Sequence, residues 1–198
     1  DEIDCITCHL GNGSSITAVK GGRSIDTSMG LTPLEGVPMG TRSGDFDPAV
    51  LFHLADKGFD VPALQTLCNQ QSGLLGLSGT SNDMRTLEKR ARDGDKRAAL
   101  AIHVFCYRIT KYIGAYTAVL GTVHALVFTG GIGANAPDIR MQICDGLTYL
   151  GVTLDPQRNR KPAPLISVAD GPVRVEAVTT DEERMIATHV QRTLANAC

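Results

Sequence analysis

His9-Leu10-Gly11-Asn12-Gly13-Ser14-Ser15 separates the apolar run Ile3-Asp4-Cys5-Ile6-Thr7-Cys8 from a second one, Ile16-Thr17-Ala18-Val19. Two β-type segments with a glycine-rich tip between them predict a hairpin. Gly11 and Gly13 admit positive φ and carry no Cβ, so backbone N–H groups can turn toward an anion, while Asn12, Ser14 and Ser15 add side-chain donors. The heptad is a candidate phosphate cradle and equally a polar hairpin tip. A second glycine cluster downstream bears on the choice.

Working outward, Gly21-Gly22 is a turn, and Arg23-Ser24-Ile25-Asp26-Thr27-Ser28 reads as a third strand, which completes an antiparallel meander. Residues 29–45 are too rich in Gly and Pro for a regular element, and long irregular loops in compact domains are often functional. Asp47-Pro48 opens a helix carried by Val50, Leu51 and Leu54 and stopped near Gly58, with Asp47 as candidate N-cap. A second short helix is predicted over 61–69. Ser72-Gly73-Leu74-Leu75-Gly76-Leu77-Ser78-Gly79 breaks the helical pattern, and Asp83-Met84-Arg85 starts another helical turn.

From 95 to 120 the positions Ala98, Ile102, Phe105, Ile109, Tyr112, Ile113, Tyr116 and Leu120 recur at steps of three and four, which predicts a long amphipathic helix. Its apolar face suits a core, and a dimer contact is the alternative. Val123-His124-Ala125-Leu126-Val127-Phe128-Thr129 is a near-continuous apolar strand of the kind buried on both faces. It runs into Gly130-Gly131-Ile132-Gly133-Ala134-Asn135, read as a turn. A helix marked by Ile139, Ile143, Leu147 and Leu150 follows, with Asn135 as its expected cap. Strand, glycine-rich turn and helix N-terminus together form an anion or nucleotide site. Strands over 165–168 and 173–178 and a helix over 181–195 close the chain.

The chain has 198 residues, 42% of them hydrophobic, enough for a packed core. Its formal charge is −2, and the absence of any basic run argues against nucleic acid or an anionic membrane as partner. No apolar stretch approaches the roughly 20 residues that span a bilayer. Asp1-Glu2-Ile3-Asp4 is unlike a signal peptide, so a cytoplasmic protein is expected. The chain also begins without methionine, directly in an apolar strand, as a fragment would. Cys5, Cys8, Cys68, Cys106, Cys144 and Cys198 are scattered, mostly within apolar patterns, which suits reduced buried thiols. Cys5-Ile6-Thr7-Cys8-His9 matches a c-type haem attachment signature. In a strand, however, its two cysteines fall on opposite faces.

Two glycine-rich turns at the ends of separate strands can clamp a nucleotide. Neither is a standard motif: the first lacks the Lys-Ser/Thr ending of a Walker sequence, and Gly131-Ile132-Gly133 lacks dinucleotide-fold spacing. On pattern alone a nucleotide-binding enzyme is the first reading, and a sugar-binding or structural α/β domain the second.

Five runs carry a resemblance: His9-Leu10-Gly11-Asn12-Gly13; Asp26-Thr27-Ser28-Met29-Gly30-Leu31-Thr32-Pro33-Leu34-Glu35-Gly36; Met39-Gly40-Thr41-Arg42-Ser43-Gly44-Asp45; Ser72-Gly73-Leu74-Leu75-Gly76; and Phe128-Thr129-Gly130-Gly131-Ile132-Gly133. Together they resemble the acetate kinase family, which includes propionate kinases. The resemblance covers residues 1–198 and corresponds to the C-terminal half of a family member. It implies a C-terminal nucleotide-binding domain of the actin-like ATPase and sugar-kinase (ribonuclease H-like) type, an α/β fold in which a meander is followed by strands and helices.

The resemblance also implies roles. Residues 9–13 (His9, Leu10, Gly11, Asn12, Gly13) would hold the β- and γ-phosphates, with His9 and Arg42 catalytic. Arg42 would meet the transferring phosphoryl group and the acyl substrate, a task suited to a guanidinium fork. Pro33 would line a small apolar pocket for the acetate methyl. Asp83, Met84 and Arg85 would contact the nucleotide, and Gly130, Gly131, Ile132, Gly133 and Asn135 would form the nucleoside and α-phosphate turn. Glu182 matches the glutamate associated with Mg²⁺, with Mn²⁺ as a substitute. Ala134 departs from the family's usual glutamate and Asp181 from its asparagine. The family's catalytic aspartate, a second histidine and a second arginine lie in the other half.

The implied activity is reversible phosphorylation of a short-chain carboxylate, acetate or propionate, by ATP, giving an acyl phosphate and ADP in a cytoplasmic homodimer. This segment is expected to supply the nucleotide side of the cleft and to be inactive without the N-terminal half. A same-superfamily kinase with another substrate, a non-catalytic nucleotide-binding module and a dimerisation domain are the alternatives.

Overall fold

The computed structural model describes residues 3–161 and 164–196. Three strands open the chain: β1 (Cys5–Leu10), β2 (Ser14–Lys20) and β3 (Arg23–Thr27). Next come α1 (Ala49–Asp56), α2 (Val61–Gln70), α3 (Gly73–Ser78), α4 (Met84–Arg92) and α5 (Lys96–Leu120). β4 (Ala125–Thr129) leads directly into α6 (Gly130–Asn135), followed by α7 (Pro137–Asp145) and a 3₁₀ turn at Thr148–Leu150. α8 (Pro156–Asn159), β5 (Arg174–Ala177) and α9 (Glu182–Asn196) complete it.

The sheet order is β3-β2-β1-β4-β5. β1, β2 and β3 pair antiparallel, whereas β4 and β5 run parallel to β1. A meander extended by parallel strands is consistent with the expected actin-like ATPase type.

Alternation along β1 and β2 sends Ile6, Cys8, Leu10, Ile16 and Ala18 into the core, fully buried. α5 crosses this face and also packs on α3, α4 and α7. Its buried set includes Ala98, Ile102, Phe105, Ile109, Ile113, Tyr116 and Leu120. The predicted stripe is therefore core, and only Tyr112 of it stays half-buried. Each large apolar side chain so buried contributes about 1.5–3 kcal/mol. Asp95 starts the helix as predicted, accepting from the N–H groups of Arg97 and Ala98.

Cys8, Cys68, Cys106 and Cys144 are buried free thiols. Burial pushes those of Cys106 and Cys144 up to about 12, which leaves them protonated and inert. Cys5 and Cys8 lie on opposite faces of β1, with Cys8 in the core, an arrangement that does not fit haem attachment. Cys198 lies outside the described residues.

Several local expectations differ from the structure. Gly130–Asn135, expected as a turn, is helical. Asn135 is not the cap of the next helix: its Nδ2 donates back to the Gly131 carbonyl at 3.0 Å, and α7 starts at Pro137. The helix expected to run to Leu150 stops at Asp145, where Gly146 lets the chain pass close to Thr110 of α5. The 72–79 stretch, expected to be irregular, contains α3. Residues 165–168 form only isolated bridges, Leu154 with Ser167 and Leu165 with Glu176. α1 buries none of its residues, although Val50, Leu51 and Leu54 predicted an inward face. Among the described residues, no helix is long and apolar enough to cross a membrane.

Candidate functional site

β1 and β4 lie side by side and parallel, with His9 opposite Thr129. Their C-terminal ends therefore open at one edge of the sheet, where ligands of parallel α/β sheets bind. The first glycine segment leaves β1 there and the second leaves β4. His9 Nδ1 shares a hydrogen bond with Thr129 Oγ1 at 3.0 Å, which ties the two strand ends together.

At that edge is a cleft of about 480 Å³, a volume within the range of small-molecule sites. Three distant pieces of chain line it: Gly11 and Asn12; Asn82, Asp83, Met84, Arg85 and Glu88; and Gly131, Ile132, Asn135 and Ala136. The structure thus brings together eight of the residues singled out in the sequence, contributed by all three segments expected to contact a nucleotide.

The others sit around or behind this lining. Leu10 is fully buried and does not line the cleft. Gly133 is buried against Cys8 and Phe128; a Cβ there would lie 3.4 Å from both backbones. Gly130 has φ +77°, and a Cβ would come within 2.6 Å of the Leu10 carbonyl oxygen. A glycine is thus required where the second segment crosses the end of β1. Gly11 and Gly13, by contrast, lack the positive φ expected of them. Their tip is closed by the Gly11 N–H donating to the Gly13 carbonyl at 2.9 Å, and by Ser14 Oγ donating to the Gly11 carbonyl.

Asn12 is held from outside its own loop. Its carbonyl accepts from the Gly40 N–H at 3.0 Å, and its Oδ1 accepts from Asn82 Nδ2 at 3.2 Å. Gly40 lies so close that a Cβ would stand 2.1 Å from Asn12 Oδ1. The 39–45 loop therefore packs directly on the first glycine tip, and this brings Arg42 to it: a Cβ on Gly13 would lie 3.8 Å from Arg42 Nη1. Among the described residues, the one side-chain hydrogen bond of Arg42 goes to Met39 Sδ at 3.5 Å, so most of its donors remain available to an anion.

α3 explains how that loop keeps its shape. The N–H groups of Ser72, Leu74 and Leu75 donate to the carbonyls of Thr41, Met39 and Gly40, each at 2.9 Å. At the far end Asp45 accepts from the Gly36 N–H at 2.7 Å and from Arg108 and Tyr112 of α5, each at 2.6 Å. Burial and the Asp45 bond together raise the Tyr112 phenol far above its ordinary range, so it remains a donor.

Asp83 is the N-cap of α4. Its carboxylate accepts from the Thr86 hydroxyl at 2.8 Å, from the Thr86 N–H and from Arg85 Nε. The Thr86 hydroxyl leads in holding its carboxyl below the usual range. Met84 buries its side chain under the cleft, and Arg85 is exposed. Glu88 was not singled out in the sequence; burial raises its carboxyl above the ordinary value. Its spacing of four from Met84 was the available signal.

Glu182 opens α9 with its carboxylate 3.9 Å from His9 Nε2 and largely exposed. Among the described residues there is no group of three His, Cys, Asp or Glu side chains able to hold a metal by themselves. A lone carboxylate beside His9 is compatible with Mg²⁺, which takes one or two carboxylates and draws its remaining ligands from phosphates and water. Asp181 caps α9, accepting from the Arg184 N–H at 3.0 Å, so this departure from the usual asparagine keeps a capping side chain.

Pro33 is exposed and outside the cleft lining; Thr32 and Leu34 line a separate hollow with Phe46, Pro48 and Leu51. Arg140 and Asn159, both buried behind α6, were also missed. Arg140 interrupts the apolar spacing of Ile143, Cys144 and Leu147, and a charge within such a stripe is the signal that could have found it.

The profile of the acetokinase family matches residues 1–188. The chain is 54% identical over 201 residues to the acetate kinase of Syntrophobacter fumaroxidans, covering 100% of this chain and 49% of that one. The crystal structure of Porphyromonas gingivalis acetate kinase superposes with a TM-score of 0.93 at 44% identity, over 98% of this chain and 50% of that chain. A propionate kinase from Francisella tularensis superposes at 0.90 with 45% identity, over 94% and 48%. The chain spans about half the length of the relatives it matches.

Proposed function

The chain belongs to the acetokinase family, and from this membership and the cleft we propose that it forms the nucleotide side of a kinase that phosphorylates a short-chain carboxylate. The observation that carries the proposal is the convergence of residues 11–12, 82–88 and 131–136 on one cleft at the ends of β1 and β4. On this reading the 198 residues are the C-terminal nucleotide-binding domain, and acetate or propionate is the acceptor.

The reaction is an in-line transfer. A carboxylate oxygen bonds to the γ-phosphorus of ATP as the bond to the β–γ bridging oxygen breaks; the acyl phosphate forms and ADP leaves with the electron pair. No proton needs to move, so the work of the site is positioning and charge neutralisation. The backbone at 11–13 and the Asn12 side chain cradle the β- and γ-phosphates. Arg42 meets charge on the transferring group, and His9, steadied by Thr129, donates to it from Nε2 when protonated there. Gly131, Ile132 and Asn135 form the wall for the nucleoside and α-phosphate, opposite Asp83 and Arg85. Glu182 would hold Mg²⁺, directly or through its water shell, and the bound ion would offset phosphate charge. The carboxylate pocket near Pro33 is completed by the other half of the enzyme. A cytoplasmic homodimer formed largely through this half, with α5 as a contributor, belongs to the same proposal.

Calorimetric titration of the chain with Mg·ADP tests the nucleotide assignment. Saturable binding that Asn12→Ala weakens is expected, and no binding overturns it. The segment alone is expected to show no acetate-dependent consumption of ATP. Joined to its other half it should turn over, with Arg42→Ala lowering kcat by about 10³-fold. Turnover by the isolated segment would refute the two-half requirement.

A further inference from the structure

Arg140 of α7 is 3% exposed, and each of its three guanidinium nitrogens donates to a neutral acceptor. Nη1 donates to the carbonyls of Gly133 and Ala134 at 2.8 and 2.9 Å. Nε and Nη2 donate to Asn159 Oδ1 and to the Asn159 carbonyl at 2.8 and 2.6 Å. Asn159, itself 2% exposed, donates from Nδ2 to the Pro137 carbonyl at 2.9 Å. Asp155 caps the short helix that delivers Asn159, accepting from the N–H groups of Gln157 and Arg158.

The two carbonyls held by Nη1 belong to the last turn of α6, where a helix leaves its acceptors without intrahelical partners. The opposite side of the same six residues, Gly131, Ile132 and Asn135, walls the cleft. Glycines at 130, 131 and 133 make α6 intrinsically weak as a helix, so its geometry depends on what holds it from outside. The position of Arg140 argues against stability as its main purpose. It shares a helix stripe with Ile143 and Cys144, both buried, where an apolar side chain would avoid the desolvation of a guanidinium.

We propose that Arg140 is a positioning residue of the nucleotide site: with Asn159 it clamps the C-terminal turn of α6 from behind and so sets the wall that receives the nucleoside and α-phosphate. The inference rests on the nucleotide reading above. The fork shape is essential to it, because a single ammonium cannot reach two helix carbonyls and Asn159 together.

The test compares the wild-type chain with Arg140→Lys, Arg140→Met and Asn159→Ala, at a temperature where circular dichroism shows each to be native. Two readouts are taken: the Kd for Mg·ADP, and hydrogen exchange of the 130–135 amides relative to those of β1 and α5. Both Arg140 variants are expected to weaken ADP by about tenfold or more. They should also speed exchange in α6 selectively, with Asn159→Ala showing a smaller effect in the same direction. A purely structural arginine would lower the unfolding temperature while leaving Kd and the α6-to-α5 exchange ratio unchanged, and that result overturns the proposal. Should Arg140→Met fail to fold, Arg140→Lys and Asn159→Ala carry the comparison. Should the wild-type chain itself not bind ADP, the nucleotide reading falls, and the exchange ratio still decides whether Arg140 positions α6.

Discussion

The glycine tip at residues 11–13 and the helix Gly130–Asn135 leave adjacent parallel strands and wall one cleft, yet they are built by opposite means. In the first, neither glycine takes positive φ, and Gly13 would tolerate a Cβ 3.8 Å from Arg42, although one on Gly11 would crowd the Gly13 carbonyl oxygen at 3.3 Å. The tip closes on itself through Gly11, Gly13 and Ser14, and Asn12 is then fixed from outside by the Gly40 N–H and Asn82. In the second, Gly130 combines positive φ with a Leu10 backbone that leaves no room for a side chain, and the helix it opens is held from behind by Arg140. Two glycine-rich stretches thus use glycine differently, Gly13 for access and Gly130 for conformation. The neighbours of each stretch set the difference.

The largest effect that would break this comparison is at Gly130. Gly130→Ala combines left-handed strain with a contact of 2.6 Å to backbone that cannot move aside. It should cost about 2 kcal/mol or more of unfolding free energy in urea. A loss below about 0.5 kcal/mol would show that the crossing of β1 is not rigid.

The next residue should behave oppositely. Gly131 lies in the helix on the cleft side, and a Cβ added there would meet nothing within 4 Å. Gly131→Ala should leave stability unchanged or raise it by up to about 1 kcal/mol through helix propensity. ADP affinity should fall, because the methyl occupies ligand space. Calorimetry and thermal unfolding on the same sample would separate the two effects, and a parallel loss of both would mean that Gly131, like Gly130, serves the fold.

The smallest effect concerns Glu88, which lines the cleft opposite both segments and whose carboxyl burial raises. A carboxyl with a raised folded-state pKa disfavours folding once it ionises. Glu88→Gln should therefore raise the unfolding temperature slightly at neutral pH, and the gain should vanish as pH falls below the ordinary carboxyl value, where both states are protonated. A gain that persists in acid would assign the effect to packing.

Much of the fold was legible because periodicity is a local property. The meander, the long α5 stripe from Ala98 to Leu120 and the buried β4 all follow from spacings of two, three or four residues. The start of α5 at Asp95 was recoverable for the same reason, since this cap bonds within three residues of itself. Legibility failed where a segment's state depends on remote partners. Residues 72–79 look like a break because Gly and Ser are poor helix formers, yet α3 forms with its first N–H groups bonded to the 39–41 loop. α1 has an apolar pattern, but its contacts within the described residues leave Leu51 and Leu54 no more than half-buried.

The candidate site divides along the same line. By itself the sequence determined the two glycine segments, the strands that carry them and the start of α5 at Asp95, since strand and helix patterns are written in nearest neighbours; the expected cap Asp47 gave way to Pro48 at the start of α1. Tertiary structure alone decided that Asn12 is pinned by Gly40 and Asn82, residues 28 and 70 positions away. It likewise decided that Gly130 and not Gly11 or Gly13 takes positive φ, and that Arg140 turns its charge inward onto α6. Those outcomes depend on which backbone atoms arrive within about 3 Å of one another after the chain has closed, a distance over which sterics and hydrogen bonding act and sequence spacing carries no information.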